Sequence, residues 1–345
     1  MRDNPFSLTF GKEPSLMINR YLQFNEIVDA FTSATPSQQA FMITGVRGAG
    51  KTVFMSSIAK KLRKEKEWIV VDLNSSGALL NELVAKLYNE KGMSSMFAEA
   101  GINLSFWGIG INLKKTTPIT DIGTAAERML EKLKKQGKRV LITIDEVINN
   151  EGMKTFAGAY QIMVRHDLPV FLLMTGLYEN INSLQNEKNL TFLFRTPKMY
   201  LKVLNTGSIA TSYEKTLNIP RDEANVYAKI TKGYSYAFQV IGYFLYEHKG
   251  DYDAALPEIR GYLDDYVYEK LWSELSPKET EILTALSENE KGDVKTLKES
   301  LDISSNAFSV YRDRLIKKGI LDGSRRGYVT FALPYFDEYV REHGM

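Results

Sequence analysis

Residues 40–52 read Ala40-Phe-Met-Ile-Thr-Gly-Val-Arg-Gly-Ala-Gly-Lys-Thr52, and Val53-Phe-Met-Ser-Ser-Ile58 follows. An apolar run leads into Gly45; four residues later come Gly50, Lys51 and Thr52, and then an apolar stretch with helical spacing. Two glycines five positions apart with Lys and Thr after the second form the P-loop pattern, and a strand before it and a helix after it are the context the pattern requires. Glycines at 45, 48 and 50 let the backbone curl so that successive N–H groups can face phosphate oxygens. A helix starting near Lys51 adds its positive N-terminal end. Lys51 is placed to reach the β- and γ-phosphates, and the Thr52 hydroxyl to ligate Mg²⁺. The expected nucleotide-binding set is therefore Gly45, Val46, Arg47, Gly48, Ala49, Gly50, Lys51, Thr52 and Val53, and the expected ligands are ATP or ADP with Mg²⁺.

Length and composition point to a soluble intracellular protein as the expectation. Its 345 residues are 44% hydrophobic, enough for two or three domains, and the formal net charge is only +2. Any nucleic-acid contact must then come from a local patch. No cysteine is present, which excludes a disulfide framework and Cys-based zinc sites. The N-terminus lacks the apolar core of a signal peptide, and no run reaches the length of a membrane span, so a cytoplasmic location is expected.

Residues 1–205 read as alternating strands and helices. Residues 4–14 form an irregular arm, and a helix follows with Leu22, Ile27, Ala30 and Phe31 as its buried stripe. Arg20, at the head of that helix, is either a solvated terminal charge or a group near the nucleotide. A strand is expected at 68–74, a helix over 78–98, an extended or hairpin excursion at 103–113 and a helix at 121–136. Lys138-Arg-Val-Leu-Ile-Thr-Ile-Asp-Glu-Val147 is a short apolar β-branched run ending in two acids, the form of a Walker B strand. Asp145 would hold Mg²⁺, and Glu146 would polarise the attacking water. A strand at 168–176 ends in Thr175, which either contacts a γ-phosphate or water, or only closes a turn. Arg195 precedes a strand-like segment at 198–204; it either neutralises charge in a neighbouring subunit or pairs with a carboxylate.

In this order, Gly45–Thr52, Ile142-Thr-Ile-Asp-Glu146, Leu173-Met-Thr-Gly176 and Phe192-Leu-Phe-Arg195 resemble an AAA+-type P-loop ATPase. The branch it resembles holds the prokaryotic "archaeal ATPase" proteins, the STAND signalling ATPases and the origin-recognition initiators. The resemblance implies an α/β fold: a P-loop NTPase parallel sheet with flanking helices, then a small helical lid, then a winged helix-turn-helix domain. It also implies that Asn4-Pro-Phe and the Arg20 segment lie against adenine, although the branch usual Gly and Glu around this Arg are Asn19 and Gln23 here. Residues 206–268 would be the lid, with Ser235 in place of its usual Pro and no following sensor Arg. The tyrosines at 234, 236, 243 and 246 read as packing.

Residues 269–345 begin with helix-start chemistry, Ser276-Pro-Lys-Glu279. Three helices and a hairpin with a Gly- and Arg-bearing tip follow, the order of a winged helix. The segment 276–345 carries eleven basic and twelve acidic side chains, but 304–328 carries six basic against two acidic. Ser305, Ser309 and Arg312 would form an exposed stripe beside buried Phe308, Tyr311 and Leu315, with Arg325 and Arg326 at the wing tip suited to phosphate contact. Winged helices also dock proteins. Two functions are thus weighed: a slowly hydrolysing ATPase switch coupled to double-stranded DNA binding, and a STAND-like switch whose nucleotide state sets self-association or protein docking. A metabolic phosphotransferase is disfavoured, because no acceptor-substrate constellation is visible.

Overall fold

The computed structural model describes residues 3–9, 11, 13–109, 117–188, 190–289 and 291–344. They fall into two compact units. One unit comprises residues 21–44 and 51–199, and the other the described residues of 1–20, 45–50 and 200–345.

The first unit alternates α1 (Tyr21–Thr32), β1 (Ala40–Thr44), α2 (Lys51–Leu62), β2 (Trp68–Asn74), α3 (Leu79–Asn89), α4 (Met93–Glu99), α5 (Ile122–Lys135), β3 (Arg139–Asp145), α6 (Glu151–Arg165), β4 (Val170–Gly176), α7 (Tyr178–Gln185), α8 (Thr191–Arg195) and β5 (Lys198–Tyr200). The strands form one sheet in the order β2-β3-β4-β1-β5, with β1 parallel to β4, β4 to β3 and β3 to β2. Register pairs Thr44 with Gly176 and Asn74 with Asp145, so the carboxyl ends of these strands lie on one side. Crossover connections require this parallel pairing, and burial on both faces explains the continuous Val, Ile and Leu runs. One apolar cluster gathers Met42, Ile142, Leu172 and the inner faces of α3, α5 and α6. Phe31, Phe41, Phe171 and Trp68 make a second, aromatic layer, with ring centroids 4.9–5.5 Å apart.

The strands expected at 68–74 and 168–176 and the helix at 121–136 are present. Other expectations need correction. Leu22 is 84% exposed and Ala30 half-buried; α1 buries Gln23, Ile27, Val28 and Phe31 instead. The helix expected over 78–98 is two, because Gly92 sits at φ +80 and caps α4. Within 103–109 there is a single 3₁₀ turn, Ser105–Trp107, and no hairpin strand; residues 110–113 lie outside the described residues. The strand expected at 198–204 covers only its first three residues.

The second unit carries α9 (Thr206–Tyr213), α10 (Arg221–Ile230), α11 (Ser235–Glu247), α12 (Tyr252–Leu263) and α13 (Glu269–Ser273). Then come α14 (Pro277–Glu288), α15 (Val294–Ser300), α16 (Ser305–Lys318), β6 (Leu321–Asp322), β7 (Thr330–Phe331) and α17 (Phe336–His343). Pro220 stands just before α10, and Gly233, at φ +72, has no side chain where a Cβ would meet the Leu204 carbonyl at 2.7 Å, just before α11. Phe6 of the N-terminal arm is buried against Tyr213 and Phe238. α14 opens with a full capping box, Ser276 and Glu279 exchanging bonds with Pro277 at the first helical position. α16 closes on Gly319 in the left-handed conformation. β6 and β7 pair antiparallel, and an extra bridge joins Asp293 to Tyr328.

Candidate functional site

The acidic centre lies at the ends of β3 and β4. An apolar strand buries Leu141, Ile142 and Ile144 and leaves Asp145 half-buried at its carboxyl end. Thr52, in the first turn of α2, donates its hydroxyl to Asp145 Oδ2 at 2.7 Å. Thr175, fully buried at the end of β4, donates its hydroxyl to Asp145 Oδ1 and accepts the Glu146 amide at 3.2 Å. Thr175 is therefore more than the close of a turn: it orients the carboxylate. Glu146 is exposed with φ +51, a conformation uncommon for a residue with a Cβ. Such strain is kept where the surroundings over-determine it, here through the bonds of the Glu146 amide to Asp145 Oδ1 and Thr175. Lys51 opens α2 next to Thr52, and Val53 is half-buried behind them.

A cavity of about 220 Å³ reaches Asp145 from α2, lined by Ser56, Arg63, Asp72 and Thr143 among others. Thr143 donates to Asp72 Oδ1 at 2.5 Å, and Arg63 pairs with Asp72 Oδ2 at 3.0 Å. Sequence reasoning missed this polar group. The available signal was a polar residue interrupting each apolar strand, Asp72 in β2 and Thr143 in β3.

The glycine loop belongs to the helical unit. Gly48 and Gly50 stand at φ +75 and +86, as a tight curl requires, while Gly45 does not. Outside the loop, Tyr234 donates its hydroxyl to the Arg47 carbonyl at 2.7 Å, and Ser235 donates to the Ala49 carbonyl at 3.0 Å. Arg20 donates to that same carbonyl at 3.1 Å, to Ser235 Oγ at 2.7 Å and to the Lys202 carbonyl at 2.6 Å. Burial pushes the Arg20 pKa down to about 10, so it stays charged at neutral pH. Arg20 is thus a brace on the loop and not a solvated helix-end charge. The loop carbonyls are tied outward, while the Ala49 amide closes a turn on Val46 at 3.1 Å. Arg47 pairs with Glu274 at 3.1 Å, and Val46 lies against Gly319. Tyr234, read from the sequence as packing alone, is buried and also bonds the loop. A cavity of about 590 Å³ opens beside Arg20, Val46, Ala49 and Tyr234, and its far wall is Leu321 and Phe331.

Arg195 ends α8, exposed, next to Phe194, which is 72% exposed. In the C-terminal segment, Ser305 and Ser309 are exposed on α16, and Phe308 and Leu315 are buried. The expected stripe needs correction at Arg312, which is half-buried and donates to the Gly323 carbonyl at 3.1 Å, because the ribbon turn is close enough to take it. Tyr311 is only half-buried. Arg325 lies over the Tyr328 ring at 3.9 Å, and Arg326 is exposed beside it.

Residues 18–150 match the KAP family P-loop domain, and residues 265–340 match a domain of unknown function (DUF8462). No curated protein matches the chain in sequence. Among solved structures, the Walker-type ATPase paby2304 of Pyrococcus abyssi is similar at a TM-score of 0.60 and 14% identity, over 94% of this chain and 96% of that one. Cdc6p from Pyrobaculum aerophilum is similar at a TM-score of 0.50 and 12% identity, over 99% of this chain and 96% of that one. The parallel sheet with an acid at the end of β3, the match of residues 18–150 and these likenesses give the chain the fold of a P-loop NTPase, similar in fold to paby2304 and Cdc6p.

Proposed function

We propose that this chain binds ATP with Mg²⁺, hydrolyses it slowly, and uses the nucleotide state to set the binding of double-stranded DNA by its C-terminal segment, acting in the cytoplasm. The observation that carries the reading is the Asp145 carboxylate held between the Thr52 and Thr175 hydroxyls. Oxygen donors in this pattern suit Mg²⁺, which takes one or two protein oxygens and fills its octahedron with phosphate and water. Among the described residues no three-ligand His, Asp or Glu cluster gathers, and this ion does not require one. Mg²⁺ would neutralise developing phosphate charge; Lys51 and the loop amides would hold the phosphates, and Glu146 would orient water. Thr175 positions Asp145, and Arg195 would complete the site of a neighbouring copy, which accounts for slow turnover in isolation. The 590 Å³ cavity beside Val46 and Ala49 offers room for the nucleoside. On this reading 1–205 is the nucleotide core, 206–268 the lid and 269–345 a winged helix.

The test compares the parent with Lys51→Ala. Nucleotide retained after gel filtration, ATPase rate and duplex affinity with ATP, ADP or neither are measured on both. The variant should lose nucleotide, turnover and any response of DNA binding to ATP. Equal hydrolysis by the variant would overturn the ATPase assignment, and a parent whose DNA affinity ignores ATP would overturn the coupling.

A second reading is favoured by the Arg47–Glu274 pair and the Val46–Gly319 approach, which tie the loop to the C-terminal segment. In it, nucleotide state releases that segment for self-association or protein docking, without DNA. Sizing with ATP, ADP and no nucleotide separates the two, since this reading requires a change in oligomer state.

A further inference from the structure

The exposed face of α16 does not carry the charges that the expected Ser305–Ser309–Arg312 stripe would give it. Arg312 is drawn onto the Gly323 carbonyl. The Ser309 hydroxyl bonds back to the Ser305 carbonyl at 2.7 Å, and the Ser305 hydroxyl accepts Lys298 Nζ at 2.9 Å. Asn306, Val310 and Asp313 are exposed on α16 at i, i+4 and i+7, the first two one helical turn apart. Among the described residues no hydrogen bond engages the Asn306 amide, and Val310 is 58% exposed. Asp313, on the same face, is neutralised by Lys317 at 2.5 Å. The same segment carries exposed guanidinium groups, Arg314 on α16 near the Tyr311 ring, and Arg325, over Tyr328, and Arg326 in the turn between β6 and β7.

We propose that α16 reads duplex DNA through Asn306 and Val310, selecting an adenine with the Asn306 amide and a thymine methyl with the Val310 side chain in neighbouring base pairs. This rests on the DNA-binding reading above and names what that site selects. A carboxamide presents one donor and one acceptor in the geometry of the adenine N6 and N7 edge, and an aliphatic group covers the thymine 5-methyl. Residues in the first half of a recognition helix are the ones that meet base edges in the major groove. Cβ atoms at i and i+4 lie about 5–6 Å apart, which spans adjacent base pairs when the helix is inclined in the groove. Arg314, Arg325 and Arg326 supply the charge complementarity: they meet phosphates, which adds affinity without adding sequence information.

The experiment selects bound sequences from a random duplex pool with the full chain and ATP. It then measures affinity for the selected duplex, for a scrambled duplex and for the selected duplex with uracil in place of thymine. The parent should prefer the selected duplex by about tenfold or more and lose part of that preference to uracil. Asn306→Ala should abolish discrimination at the adenine, and Val310→Ala should bind the thymine and uracil duplexes equally. Both variants should bind the scrambled duplex as the parent does, and circular dichroism melting confirms that they fold. A parent that binds duplexes without preference, or variants that keep its preference, overturn the inference and leave DNA binding standing. A parent that binds no duplex overturns both and points to protein docking.

Discussion

The Thr52 hydroxyl donates to Asp145 Oδ2 across 2.7 Å, joining the first turn of α2 to the end of β3 over a separation of 93 residues. Asp145→Asn keeps the shape and removes the charge. It should lower Mg²⁺-dependent ATP turnover by about 10²–10³, the scale for losing one electrostatic stabiliser. Thr52→Ser should retain activity, whereas Thr52→Val should lose it. Thr175→Val should cost less than either loss, because Thr175 acts through Asp145, and Thr175→Ser should rescue it. Steady-state phosphate release across a Mg²⁺ titration reads all of these, and a Thr175→Val rate equal to the parent would remove its positioning role.

Gly48 meets Tyr234 and Tyr236 with no room to spare. A Cβ there would lie 2.1 Å from the Tyr234 hydroxyl, and its φ of +75 already disfavours a side chain. Gly48→Ala should destabilise by about 1–3 kcal/mol from backbone strain, before any clash is counted. Tyr234→Phe should cost about 1 kcal/mol, by leaving the Arg47 carbonyl without its donor. Because both changes act on one contact, their costs should be non-additive with Tyr234→Ala, which removes the clashing ring. Urea unfolding of the parent, the three single variants and the Gly48→Ala/Tyr234→Ala double variant measures this, and strict additivity would show the contact is not made in solution.

Glu279 joins α14 to α16 through an ion pair with Lys318 at 2.9 Å, with both side chains nearly buried. Burial raises the Glu279 pKa, but the Ser276 bonds and Lys318 outweigh it, so the net shift is downward. A folded-state pKa below the unfolded one stabilises the fold above the ordinary glutamate value and loses that contribution as pH falls through the depressed value. Glu279→Gln should therefore be less stable than the parent at pH 7, because the buried ion pair with Lys318 is lost. The gap should close as the pH falls through that depressed value, where the parent glutamate itself takes a proton. Melting curves from pH 7 to pH 3 on both chains check the sign, and a gap that widens in acid would refute it.

Local signals carried much of the fold. The runs at 40–44, 68–74, 139–145 and 170–176 are Val-, Ile- and Leu-rich because both sheet faces are covered, and a buried strand needs no alternation. Failures came where a neighbour outvoted the pattern. Leu22 fits an apolar period yet faces outward, while Gln23 is buried and takes its place in the stripe. One expected helix became two, because Glu90 turns extended after α3 and Gly92, left-handed, begins α4.

By itself the sequence determined the order of elements, the glycine loop with Lys51 and Thr52, the strand ending in Asp145 and Glu146, and the capped helices of the C-terminal segment. All of these are encoded within a few residues of chain, in conformational preference, side-chain period and turn chemistry. Tertiary structure alone decided the partners: Thr175 on Asp145, Tyr234 and Arg20 on the loop carbonyls, Arg312 on Gly323, and so the Asn306–Val310 face left outward on α16. Hydrogen bonds act only within about 3 Å, and which groups approach that closely is set by how distant segments pack, a quantity no local spacing records.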